Sequence, residues 1–148
     1  MILMGLSLDG IYGFHDFSIH FSYPKKIVNS IIDAEHLKGR ERFRYKKAVI
    51  LMGANATGKT SLGRALLHIF EYIASGIPSP LCEMVSAKKG NFCIDFVNGD
   101  YRLQRLSGEI DPACNDVVIQ YYATEIGPMD SYEKCIGKLE DHTKEAIR

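Results

Sequence analysis

The 148-residue sequence lacks several features that mark large classes of protein. It has no net charge, because 18 Lys and Arg residues balance 18 Asp and Glu residues, so no overall attraction to nucleic acid or anionic membranes is expected. Its longest purely apolar run, residues 48–52, is far shorter than the roughly 20 residues of a membrane-spanning helix. No basic segment precedes an apolar one at the N-terminus, which argues against a signal peptide. We therefore expect a cytoplasmic protein with no membrane partner.

Metal-binding patterns are also missing. The four cysteines, at positions 82, 93, 114 and 135, form no Cys-x-x-Cys pair, and none of the five histidines lies at a metal-ligand spacing from another. We expect four reduced thiols and no zinc site. With 46% hydrophobic and 24% charged residues, the composition is that of an ordinary globular chain, and the length fits a single domain over residues 1–148.

Hydrophobic periodicity predicts strands first and then a helix. Apolar and polar residues alternate over 2–8 and over 17–21, which indicates two strands, the second ending before Pro24. The continuous apolar run from 47 to 52 is typical of a central strand covered on both faces. A helix should follow it and end at Gly76, a residue suited to a left-handed cap. Its apolar stripe comprises Leu62, Ala65, Leu66, Ile69, Phe70 and Ile73.

The second half of the chain predicts a hairpin, a strand and a helix. Asn98-Gly99 is the preferred two-residue turn, so we expect a hairpin over 91–106 in which Asp95 faces Arg102 on a solvated face. Residues 116–124 read as a further strand. Helical spacing returns after residue 130, and Ile27, Ile31, Ile32 and Leu37 are compatible with a short helix earlier in the chain.

The predicted central strand enters a motif with specific chemistry. Gly53-Ala54-Asn55-Ala56-Thr57-Gly58-Lys59-Thr60 matches the phosphate-loop pattern Gly-x-x-x-x-Gly-Lys-[Ser/Thr] at every fixed position. The glycines allow the backbone to approach phosphate oxygens closely, and successive N–H groups then form an anion-binding nest at a helix N-terminus. Lys59 should reach the β- and γ-phosphates, the Thr60 hydroxyl should ligate Mg²⁺, and Ser61 is placed for the α-phosphate. The motif predicts ATP and Mg²⁺ as ligands.

Other functional signals are weaker and have competing interpretations. Asp95 is the best candidate for a second Mg²⁺-site carboxylate, but we favour a structural partner of Arg102. Residues 106–109 loosely match the signature loop of transporter-type ATPases, and we favour a surface turn. The basic run 38–47 is compatible with nucleic-acid binding or with a solvated connection that flanks a strand, and we favour the connection. Three ring side chains are candidates for contact with a nucleotide base and, equally, for packing in the core or at its rim: Tyr12, Phe14 and His15.

Residues 1 to about 75 resemble the N-terminal part of an ABC-type ATPase head, in particular the SMC, RecF and OLD-like group of AAA-family ATP-binding proteins. The loop is similar to that group's Gly-x-Asn-[Gly/Ala]-[Ser/Thr]-Gly-Lys-[Ser/Thr], with Asn55 as the distinguishing residue. The turn over 10–16 corresponds to an Asn-Phe-[Arg/Lys]-Ser-Phe-like turn, although Tyr12 and Gly13 replace its basic residue and serine. The resemblance implies a P-loop NTPase fold, namely an incomplete α/β lobe with a mixed sheet, antiparallel N-terminal strands and a β-hairpin subdomain.

The resemblance also implies what the chain would do. A glutamine at a strand end senses the γ-phosphate in this family, and Gln104 and Gln120 are both available. The signature loop, catalytic glutamate and switch histidine are not recognisable, so we expect a truncated lobe that binds ATP and hydrolyses little or none. Family analogy alone suggests a homodimer of heads formed through the rest of the protein, and a nucleic-acid partner. The alternative is a small phosphotransferase (kinase), whose sheet would be mainly parallel. A third interpretation is a non-catalytic module, in which a bound nucleotide or anion only orders the fold and an interaction surface carries the function.

Overall fold

The computed structural model describes residues 1–23, 35–54 and 58–146, and the side chains of the last helix as far as Asp141. The elements in chain order are β1 Ile2–Asp9, β2 Phe17–His20, β3 His36–Leu37, β4 Arg40–Arg44, α1 Lys59–Ser75, α2 Ser79–Cys82, β5 Gly90–Val97, β6 Arg102–Asp111, β7 Asp116–Glu125 and α3 Tyr132–Ala146. The predicted strands at β1, β2 and β7 and the helices at α1 and α3 are confirmed. The predicted short helix near Ile27, Ile31 and Ile32 lies outside the described residues, and Leu37 is in β3.

The main sheet has five strands in the order β2-β1-β5-β6-β7, and each neighbouring pair is antiparallel. A separate hairpin joins β3 to β4. The α/β class is confirmed, but the predicted mixed sheet is wrong for the described part of the chain. The physical reason is connectivity: β5, β6 and β7 follow one another through short turns, and such turns can join only antiparallel neighbours.

The sheet separates two hydrophobic cores. On one face, α1 and α2 pack against β1, β5, β6 and β7. On the other face, α3 and β4 cover one end of the sheet. The first core is built around Leu6, Leu8, Leu62, Ala65, Ile69, Leu81, Phe92, Ile94, Ile110 and Val117. The second is built around Met4, Phe43, Val97, Leu103, Ile126, Tyr132, Cys135 and Leu139.

The hairpin of β5 and β6 is confirmed, but its predicted register is wrong. Asp95 lies opposite Arg105 rather than Arg102, and the turn spans more than Asn98-Gly99, with Tyr101 also at positive φ. A shift by an odd number of residues moves every β6 side chain to the other face of the sheet. The observed register places Leu106 against the α1 core, whereas the predicted one would have buried Arg105 there.

The predicted buried strand at 47–52 is not formed. Lys46 still donates its N–H to the Phe21 carbonyl, but residues 48–52 belong to no strand, and Ile50 and Met52 are 82% and 87% exposed. An apolar run that enters a loop and helix pairs best with parallel neighbours. The described sheet contains only antiparallel pairs, so it provides no parallel neighbour with which this run could pair.

The turn predicted over residues 106–109 is also wrong, because these residues lie within β6. Gly108 is required there by packing: a Cβ at this position would overlap the ring of Phe92 on β5. The glycine therefore serves the sheet rather than a signature loop. No described helix is long and apolar enough to cross a membrane.

Candidate phosphate-binding site

The N-terminus of α1 directly follows the glycine-rich loop. Gly58 precedes the helix in the left-handed conformation, with φ 84°, and its carbonyl accepts the first helical hydrogen bond from Leu62 at 2.8 Å. Among the described residues, no side chain caps this end through a hydrogen bond, and the first turn has no acidic residue. The N–H groups of a helix N-terminus and the helix dipole together favour a bound anion. A glycine-rich loop that leads into such a helix end is a known setting for a phosphate ligand.

The Lys59 side chain folds back over the loop. Its Nζ donates to the carbonyl oxygens of Gly53, at 2.7 Å, and Ala54, at 2.6 Å. These contacts hold the two described ends of the loop together and place the ammonium group beside the helix N-terminus. Thr60 follows with an exposed side chain, and Ser61 is half-buried. The three other motif residues, Asn55, Ala56 and Thr57, lie outside the described residues.

The turn between β1 and β2 supports the loop from the side. The Phe14 ring lies against Gly58, so close that a Cβ on this glycine would be 3.3 Å from the ring. Phe14 also packs on Phe17, with ring centroids 4.8 Å apart. The turn is anchored by the N–H of Gly13, which donates to the Ser86 hydroxyl at 3.0 Å. The sequence left the role of Phe14 open; the structure places it at the loop, as a packing contact.

The same turn holds the two other residues that were considered for a nucleotide base. Tyr12 is half-buried against the α1 core and adopts positive φ. His15 is exposed, with Nδ1 3.7 Å from a carboxylate oxygen of Asp9. Both therefore lie on the turn that carries Phe14 to the loop.

Asp95 has the structural role that we favoured from the sequence. Its partner is Arg105 rather than Arg102, and it is buried rather than on a solvated face. It is buried, and Arg105 binds it through Nε and a terminal nitrogen at 2.7 and 2.9 Å. The Tyr132 hydroxyl of α3 donates to it at 2.8 Å. The hydrogen bond to Asp95 raises the pKa of the Arg105 guanidinium, and burial raises that of the Tyr132 phenol. This network pins α3 to the sheet face away from α1 and leaves Asp95 unavailable to Mg²⁺.

The two glutamines lie on opposite faces of the sheet. Gln104 shares the face of Leu106 and thus of α1, and its amide oxygen accepts a hydrogen bond from the Tyr121 hydroxyl at 3.0 Å. Gln120 lies on the opposite face, beside Ser107. Only Gln104 of this pair therefore lies on the sheet face that carries the loop.

The basic run 38–47 is built into the fold, which supports the connection interpretation. Arg40 donates from Nε to the Ile126 carbonyl at 2.7 Å, and its guanidinium stacks over the Tyr101 ring at 4.5 Å. Phe43, in the middle of the run, is fully buried in the α3 core. These contacts fix the β3–β4 hairpin against the end of the main sheet.

The described residues fit a Mg²⁺ ion only if bound phosphate supplies most of its ligands. The described residues contain no group of three or more His, Cys, Asp or Glu side chains that could hold a metal ion. Mg²⁺ commonly uses one or two protein oxygens together with phosphate oxygens and water. The exposed Thr60 hydroxyl at the loop is an oxygen of this kind.

The structure also shows a polar groove that the sequence analysis missed. On the sheet face away from α1, one small or polar residue from each strand forms a straight row: Ser18, Ser7, Cys93, Ser107 and Gln120. The row lines a shallow groove of about 620 Å³. Only pairing register reveals such a row, because its members are far apart in sequence. Burial raises the pKa of the Cys93 thiol, which is the opposite of the shift that activates a cysteine nucleophile.

Comparison with known proteins adds no assignment to this geometry. No protein-family model, no curated protein and no solved structure matches the chain.

Proposed function

We propose that the chain is the ATP-binding lobe of an ABC/SMC-like P-loop ATPase, and that it binds the phosphates of Mg-ATP at the N-terminus of α1. The observation that carries this proposal is Lys59, whose ammonium is held by the carbonyls of Gly53 and Ala54 at the N-terminus of α1. An ammonium group beside the backbone N–H groups of a helix N-terminus forms a site for a polyanion. Thr60 would ligate Mg²⁺, which supplies charge neutralisation between the phosphates.

The sheet favours this proposal over a small phosphotransferase. Strands of a P-loop kinase alternate with helices in a mainly parallel sheet, whereas β5, β6 and β7 form a continuous antiparallel meander. We expect hydrolysis by this chain to stay near background, because the candidate carboxylate Asp95 is committed to Arg105 and Tyr132.

Calorimetric titration with Mg-ATP tests the proposal. We expect wild type to bind and Lys59→Ala to lose at least tenfold in affinity, since a charge-assisted contact contributes about 1.5–3 kcal/mol. Lys38→Ala is the matched control, because it removes an equal charge from an exposed turn of the β3–β4 hairpin. Equal affinities for wild type and Lys59→Ala, or no binding by the folded wild-type protein, would contradict the proposal.

A further inference from the structure

The outer edge of β7 is unusually well suited to pairing with another strand. It is an edge strand of ten residues, and within the described part of the chain its backbone ladder is formed with β6 alone. Natural edge strands are normally short, charged or interrupted by proline. The opposite edge, β2, follows that rule with four residues. β7 does not: residues 117–124 contain neither a charge nor a proline.

Several side chains in the middle of this edge are exposed and suited to contact with another strand. Val118 is 59% exposed and Tyr121 is 55% exposed, on opposite faces of the strand. β-Branched and aromatic residues are those that gain most from cross-strand contacts. An uncharged strand of this length with such side chains is the type that adds to another sheet edge.

The strand is also complementary to itself. In an antiparallel pair related by a two-fold axis normal to the sheet, opposite residues point to the same face, so a residue on the axis meets its own copy. With Gln120 on the axis, Ile119 faces Tyr121 of the second copy and Val118 faces Tyr122. Each is a β-branched residue opposite an aromatic one. Asp116 then faces Thr124, so no charged residue opposes a like charge.

The two neighbouring registers shifted toward Tyr121 are poorer. Placing Tyr121 on the axis sets Val117 opposite the charged Glu125, and a register centred between residues 120 and 121 would put side chains of opposite faces together. Placing Gln120 on the axis also joins the polar row of one sheet to that of its copy, since Gln120 is the last member of the row. The groove would then continue across both sheets.

From these features we propose that two copies of the chain associate through β7, antiparallel and with Gln120 on the two-fold axis, to form one ten-stranded sheet. The surface lies on the edge of the sheet and uses no residue of the phosphate loop. The proposal is therefore independent of nucleotide binding.

Charge variants at the axis test both the dimer and its register. We expect wild type to have twice the monomer mass by light scattering or sedimentation. Gln120→Lys and Gln120→Glu, each at an exposed position, should weaken the dimer at least about tenfold, because two like charges would be carried by directly opposite residues, whose Cβ atoms are about 5 Å apart. An equimolar mixture of the two variants should restore the dimer mass. The exposed residue Leu67 on α1 gives a control, Leu67→Lys, that should leave the mass unchanged.

Three results would overturn the proposal. They are a monomeric wild type, a dimer that is indifferent to charge at position 120, and a mixture of the two variants that stays monomeric. Circular dichroism of each variant shows that it is folded. Nucleotide affinity should be the same in all of them, because Gln120 lies on the face away from α1.

Discussion

Removal of the Asp95 carboxylate provides a stringent test of the sheet register. Its side chain is 5% exposed and receives two bonds from Arg105, which is 19% exposed, and one from Tyr132. Breaking a buried pair by deleting one partner typically costs about 3–5 kcal/mol. Because Arg105 keeps some access to water, we expect the lower part of that range for Asp95→Ala. For a domain of this size, about 3 kcal/mol corresponds to a fall in Tm of roughly 6–12 °C.

Urea unfolding of single and double variants measures this effect. Asp95→Ala and Arg105→Ala should each be strongly destabilising, and the double variant should cost less than their sum by up to about 3 kcal/mol. Arg102→Ala is the control, because it removes the residue that a two-residue turn would place opposite Asp95. We expect a change within about 0.5 kcal/mol for this exposed position. Coupling of Asp95 to Arg102 rather than Arg105 would refute the register and, with it, the assignment of faces.

Three further predictions follow from single contacts. Tyr132→Phe should lower the unfolding free energy by about 1.5–3 kcal/mol, because one hydrogen bond to a carboxylate is lost; a value near zero in urea unfolding would contradict the Asp95 network. Gly108→Ala should cost at least about 1–3 kcal/mol by overlap with Phe92, and Phe92→Leu in the same chain should recover part of that loss. Hydrogen bonds from Lys134, and then Lys138, hold the pKa of Asp130 well below its usual range. Its contribution to stability is present above the unfolded pKa of about 4 and is lost as pH falls further, so the stability of Asp130→Asn should depend less on pH in that acidic window.

Local patterns predicted the elements whose signals lie in adjacent residues. The alternation in β1 and the apolar stripe of α1 correctly predicted a strand and a helix. The burial was predicted in part: Leu62, Ala65 and Ile69 are buried but Ile73 is 47% exposed, and an irregularity between Leu3 and Gly5 places Met4 in the second core, across the sheet from Leu6 and Leu8. The left-handed Gly76 cap, with φ 71° and its N–H donated to Tyr72, also follows from residue type alone. Such features are determined by neighbouring residues in the sequence. They need some apolar surface to pack against, but not one particular partner.

Features that depend on distant partners were not predictable. The hairpin register was set by which β6 residues could enter the α1 core, and the turn signal of Asn98-Gly99 did not override that packing. The run at 48–52 has the composition of a buried strand, but the described sheet holds no parallel neighbour for it. At the site, the motif identified Lys59, whereas the Phe14 contact to Gly58 required the fold.

The location of bound nucleotide is the most direct test of the account. Backbone amide NMR spectra recorded while Mg-ATP is added would report which residues it touches. We predict that the largest changes fall on Gly58, Lys59, Thr60 and Ser61, and that Lys59→Ala abolishes them. Ser107, in the groove on the opposite face of the sheet, should be unaffected. Changes confined to that groove, or spectra that do not respond to Mg-ATP, would contradict a phosphate site at the N-terminus of α1.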